Sequence, residues 1–280
     1  MNFCGPDTLE TALIFNSAST KIRLGNSGNV IISVSNSTNR IFENIVLKYN
    51  SAGNILWNYQ FFGLYQTIND MFVDNSQNIY LTGSVTIDTI PFVNNCFTVK
   101  LNSAGNLQWS KLHNLYSNEF GQSITGDNKG NVFVTGPYNA TLTTNEDFLV
   151  IKYNSNGDTL WSRINNSPGD YVVLPKFIQT DSSGNVYAGA EIYSLLGSEF
   201  GTALIKYNSS GVLQFRNDSI YSNRQYLLFD MKMDVQNNVY FSGTMYDLSG
   251  PTYLFVSNIT RTVISCHSHN ILTALAKHTA

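Results

Sequence analysis

The chain has 280 residues and a net charge of −3, with 12% of its residues charged and 13% aromatic. That charge makes no electrostatic case for nucleic acid or an anionic membrane, and no apolar run reaches the ~18 residues of a membrane span. Its 35 asparagines and 20 glycines, beside 16 tyrosines and 17 phenylalanines, suit short β-strands joined by polar turns.

In chain order, Met1–Gly5 shows no basic-then-apolar stretch, so no signal peptide is expected there. Thr11–Asn16 reads as a first strand. Gly25–Asn29 then precedes the apolar run Val30–Ile32, and this element returns four times. The turns Asp74–Asn78, Asp127–Asn131, Asp181–Asn185 and Asp234–Asn238 precede Ile79–Gly83, Val132–Gly136, Val186–Gly189 and Val239–Gly243, each an apolar residue and an aromatic leading to a glycine. Their asparagines at 29, 78, 131, 185 and 238 are 49, 53, 54 and 53 residues apart. A second element interleaves with the first: Lys48-Tyr49-Asn50-Ser51-Ala52-Gly53 leading to Trp57, repeated at Lys100–Trp109, Lys152–Trp161 and, more weakly, Lys206–Phe215. A fixed period of roughly 50 residues marks a propeller or a solenoid.

Each period holds four candidate strands, in the third copy Gln122–Gly126, Val132–Gly136, Phe148–Tyr153 and Thr159–Arg163. They are short, rich in Val, Ile, Tyr and Phe, and bounded by Gly, Asn, Asp and Ser. Four antiparallel strands per period predict an all-β propeller of four-stranded blades, with about five blades visible. The copies run roughly over 20–67, 68–120, 121–174, 175–226 and 227–270 of a single domain, 1–280. The fifth copy lacks the Lys-Tyr-Asn-Ser-x-Gly turn, since Phe255–Thr260 stands in its place. Closure at five blades and a larger or incomplete ring both fit. Ile271–Lys277 reads as a further strand or a short helix.

The turns have a mechanism. The Asp carboxylate of Asp127–Asn131 is expected to accept backbone N–H groups while Gly130 takes positive φ. One carboxylate per turn is too few for a calcium ion, which wants several oxygens. The recurring Trp57, Trp109, Trp161 and Phe215 are expected to pack on the neighbouring blade. The recurring Lys48, Lys100, Lys152 and Lys206 read as strand-end lysines with buried stems and solvated heads.

The pattern Asp-x-x-Gly-Asn-Val-Tyr-Val-Thr-Gly, followed by Lys-Tyr-Asn-Ser-x-Gly-x-x-x-Trp, resembles the SBBP-type β-propeller repeat of bacterial secreted and surface proteins over roughly residues 20–260. The resemblance implies a propeller fold and a secreted or cell-surface setting. It implies no catalytic residues.

In a meander, the short repeated turns fall at one end of the blades and the longer, variable connections at the other. Loops on a rigid scaffold are where binding usually resides. The variable connections carry Tyr65, Tyr116, Tyr171 and Tyr221, with Arg224 beside the last. These five are the candidate binding residues, for a protein or glycan partner. The leading expectation is a non-enzymatic scaffold or recognition module that presents this loop face. The alternatives are a lectin-like propeller and a hydrolase or lyase with a site at the central channel. For the last, Glu119, Asp170, Glu191 and Glu199 are candidate carboxylates. His113 stands alone, and the His267-x-His269 pair lacks the further ligands a metal needs. Cys4, Cys96 and Cys266 have no metal-ligand spacing. No metal and no cofactor is expected.

Overall fold

Runs of alternating apolar and polar residues, each stopped by an Asn/Asp/Gly turn, make nineteen strands among the described residues. A computed structural model describes residues 18–38, 41–63, 66–89, 92–113, 118–138, 147–167, 171–195, 197, 199–247, 250 and 252–258. Sheet 1 holds β1 (Ala18–Leu24), β2 (Val30–Thr38), β3 (Ile41–Tyr49) and β4 (Ile55–Gly63). Sheet 2 holds β5 (Gln66–Val73), β6 (Ile79–Thr89), β7 (Phe92–Leu101) and β8 (Leu107–His113). Sheet 3 holds β9 (Ser123–Gly126), β10 (Val132–Tyr138), β11 (Asp147–Tyr153) and β12 (Thr159–Asn165). Sheet 4 holds β13 (Tyr171–Thr180), β14 (Val186–Ser194), β15 (Glu199–Tyr207) and β16 (Leu213–Ser222). Sheet 5 holds β17 (Arg224–Met233), β18 (Val239–Asp247) and β19 (Thr252–Asn258). Strand order follows chain order in every sheet, so each is an antiparallel meander. The arrangement is propeller-like, with a fifth sheet of three strands among the described residues.

The two repeated turns are built as the sequence suggests. Asp127 accepts the backbone N–H groups of Lys129 and Asn131 at 2.9 Å, and the Asn131 amide donates to its other oxygen at 2.7 Å. Asn154 caps the second turn type in the same way, accepting from Asn156 and Asp158. Gly130 and Gly157 take φ of 78° and 84°. In two copies a side chain stands where glycine is expected: Gln77 and Asn237 adopt φ of 64° and 63°. Several of the variable connections continue the strand ladder at their ends. Thr86 pairs with Asn94, Tyr193 with Phe200, and Tyr246 with Thr252. Continuing the ladder satisfies backbone groups that a loop would have to solvate.

Four apolar clusters fill the four junctions between consecutive sheets. At the junction of sheets 1 and 2, Ile31, Val46 and Phe61 meet Ile68 and Met71. A polar clasp repeats at the outer rim. Trp57 Nε1 and Lys48 Nζ both donate to the Ser103 carbonyl of the next sheet, at 3.1 and 3.0 Å. Trp109 and Lys100 do so to Ser155, at 3.0 and 3.1 Å, and Trp161 and Lys152 to Ser209, at 3.3 and 2.8 Å. The tryptophans therefore bridge to the neighbouring sheet as expected. The expectation of solvated lysine heads is corrected: Lys48 and Lys152 are buried residues whose ammonium groups are tied to a carbonyl. Burial lowers the pKa of both.

The first sheet differs from its neighbours on one face. Its Ile22 and Leu24 are 55% and 77% exposed, whereas Met71, Ile124, Ile178 and Met231, at the register position of Ile22, are buried. The glycines of the second turn differ likewise. A Cβ at Gly105, Gly157 or Gly211 would lie 2.7 Å from a tryptophan of the preceding sheet, while one at Gly53 would meet nothing within 4 Å.

Candidate functional site

The first strand of every sheet faces one common cavity of about 680 Å³. Local chemistry sets which side chains reach it. The turn asparagine of each copy serves as a ruler. Eight residues before Asn29, Asn78, Asn131, Asn185 and Asn238 stand Lys21, Asp70, Ser123, Phe177 and Asp230. Six residues before them stand Arg23, Phe72, Thr125, Gln179 and Lys232. All ten line the cavity. A separation of two puts both sets on one face of a strand, so they form two sets of five facing the cavity. Just upstream, β5, β13 and β17 each carry a bulge, at Asn69, Lys176 and Phe229. The extra residue breaks the alternation there, and it brings Lys176 to the cavity as well.

The two carboxylates that line the cavity both have partners. Asp70 accepts from Arg23 at 2.6 Å and from its neighbour's N–H at Met71 through one oxygen. Its other oxygen accepts from the Ser123 hydroxyl and the Ile124 N–H, at 3.0 and 3.1 Å. It thereby joins sheets 1, 2 and 3. Asp230 accepts from the Met231 N–H at 2.9 Å and pairs with Lys232 at 3.1 Å. Lys176 reaches Glu191, at 3.3 Å.

The sequence-predicted residues that are described lie away from this cavity. Tyr65, Tyr116 and Asp170 lie outside the described residues, as do His267 and His269. Tyr171 opens β13, where its hydroxyl donates to Glu199. Tyr221 packs on Tyr226 of the next sheet, ring centroids 5.1 Å apart. Arg224 is an exposed residue paired in register with Asp247. None of these three lines the cavity.

The candidate carboxylates are also placed apart. Glu119 is fully buried against His113 at 2.5 Å. Glu191 is a junction residue: it accepts the Leu228 N–H of sheet 5 at 2.6 Å and the Tyr193 hydroxyl at 2.5 Å. Burial, followed by that hydrogen bond, pushes the Tyr193 phenol up. Cys96 is buried, and its thiol is pushed up to about 12 by burial, so it is not poised as a nucleophile.

The cavity residues leave no recurring signal in the sequence because their identities differ from copy to copy. Their positions do repeat, and counting back from the turn asparagine would have found them.

No family model matches the chain, and no curated protein matches it by sequence. Solved structures do share its fold. A protein of unknown function from Dyadobacter fermentans matches with a TM-score of 0.53 and 9% identity, over 88% of this chain and 79% of that one. A lignostilbene dioxygenase from Pseudomonas brassicacearum matches with a TM-score of 0.53 and 11% identity, over 88% and 61% of the two chains. A Synechocystis apocarotenoid oxygenase in cobalt-substituted form matches with a TM-score of 0.51 and 11% identity, over 88% and 59%. The chain therefore spans about three fifths of each oxygenase. Among the described residues, no group of three or more His, Cys, Asp or Glu is placed to hold a metal ion.

At these identities the likeness shows the fold alone. It still corrects the leading functional expectation. The fold is one that named oxygenases share, so the architecture is no ground for a non-enzymatic recognition module. Nor do those neighbours represent the lectin or the hydrolase and lyase alternatives.

Proposed function

We propose that the five sheets are blades of a β-propeller of the SBBP-repeat type, and that its axial cavity is the binding site for a small organic molecule. One observation carries this reading: the first strands of all five sheets surround a single cavity of about 680 Å³. Small-molecule sites fall at roughly 300–1,000 Å³ and combine apolar walls with a few polar groups. Phe72, Phe177 and Met231 supply apolar surface here, and Ser123, Thr125, Gln179 and the charged residues supply polar groups. Neighbours named for apocarotenoid and lignostilbene support a small organic ligand over a macromolecule.

The test is a fragment screen by ligand-observed NMR on the full chain, repeated on Thr125→Trp, which places an indole in the cavity. Fragments that bind the parent chain and not the variant are expected. Fragments that bind both equally would place the ligand elsewhere and sink the proposal. Mass spectrometry of the same incubations separates binding from conversion.

A further inference from the structure

The axial cavity is cationic in an acidic protein. Lys21, Arg23, Lys176 and Lys232 line it against Asp70 and Asp230, four positive charges to two negative, while the whole chain carries −3. Asp70 is committed to the protein through both oxygens, and Asp230 through one. Asp70 accepts four hydrogen bonds that join three sheets, and Asp230 is held by Met231 and Lys232. They do not offer a free oxygen pair for a cation. Arg23, Lys176 and Lys232 are paired with Asp70, Glu191 and Asp230, and Lys21 adds a fourth positive charge beyond these pairs. Lys21 has no hydrogen-bond or ion-pair partner among the described residues. Lys232 is 72% exposed in a pair with a half-exposed partner, a geometry that binds its charge weakly.

Resting on the axial-site reading, we propose that the ligand is a small organic anion with an apolar body. Its charged group sits beside Arg23 and Lys232, which come from the first and the last sheet. Its apolar body lies against Phe72 and Phe177. Charge-assisted hydrogen bonds from ammonium and guanidinium groups are the strong ones for a carboxylate, and a low-dielectric wall beside them raises their effect.

The test titrates the full chain by calorimetry with 4-phenylbutyrate and with its uncharged isostere 4-phenylbutanamide. The carboxylate is expected to bind about tenfold tighter than the amide, the effect of one charge-assisted hydrogen bond. Added salt should narrow that difference. Lys232→Gln, a change at an exposed side chain, should lower carboxylate affinity about tenfold and leave amide affinity unchanged. If both compounds bind equally at a site that Thr125→Trp closes, the anion proposal fails and the axial site stands. If carboxylate binding ignores Thr125→Trp, both fail. If neither compound binds while uncharged fragments do, the anion proposal fails alone.

Discussion

What a glycine contributes here depends on what lies over it. Gly105 and Gly53 have nearly the same backbone, φ of 82° and 85°, and nearly the same turn sequence. Alanine at either forces an L residue into the left-handed region, at about 1–2 kcal/mol. At Gly105 the new methyl would also stand 2.7 Å from the Trp57 ring, and overpacking of that kind adds about 1–3 kcal/mol. Gly105→Ala is therefore expected to lower the urea midpoint well beyond Gly53→Ala. Equal effects would mean that Gly53 is covered too.

Asp234 offers a second residue-level test, this time through pH. The hydrogen bond from the Asn238 side chain, ahead of the other groups around it, holds the Asp234 carboxyl below the usual carboxylate range. A depressed carboxyl stabilises the fold above its unfolded pKa, and that stabilisation is lost as pH falls through the folded value. Asp234→Asn should therefore destabilise the protein at neutral pH, with the gap to the parent closing as the solution is acidified below the ordinary Asp range. A gap that stays constant with pH would assign the loss to packing.

At the level of elements, sheets are joined by apolar clusters inside and, at three of the four junctions, by the Lys–Trp clasp at the rim. Both clasp donors share one carbonyl. With either donor present the Ser155 oxygen stays paired, and with both gone it depends on water. Lys100→Met and Trp109→Phe should each cost about 0.5–1.5 kcal/mol. The double variant should exceed the sum of the two by about 0.5–1 kcal/mol. Strict additivity in urea unfolding would show that the two bonds act independently.

The clasp also marks how far the sequence could be read. Recurrence of Lys48, Lys100 and Lys152 announced a scaffold role. It could not show that the ammonium groups bridge sheets, because the acceptor is a backbone carbonyl about 55 residues away, which leaves no trace in side-chain identity. The turns were legible because Asp127, Gly130 and Asn131 act within their own five residues. The candidate site was not, because the cavity positions hold residues as unlike as Arg23, Phe72 and Thr125. Tyrosine does recur in the variable connections, but Tyr221 packs as a wedge against Tyr226.

Across the whole molecule, every apolar cluster joins consecutive sheets, so sheets 2, 3 and 4 are packed on both faces. Sheet 1 leaves Ile22 and Leu24 exposed, and β19 leaves Leu254 and Val256 exposed. Where stability is a sum of nearest-neighbour terms, the end units open first. Amide hydrogen exchange should therefore be slowest in β10, β11 and β14 and faster in β2 and β18. Uniform protection across all five sheets would point to a ring that is packed all the way round.

The direction of the clasp carries a consequence for how such a protein changes over generations. Sheets 2 and 3 each bring a Lys–Trp donor on one side and a serine carbonyl over a bare glycine on the other. A tandem copy of one repeat, inserted at a junction, would arrive with both halves of the fastening already matched to its new neighbours. Such a chain can gain or lose a unit without having to invent a new contact surface. What must be renegotiated is the axis, where one more inner strand widens the cavity and adds its own pair of side chains. Growth by copying would preserve the outer rim and rewrite the ligand preference at the centre.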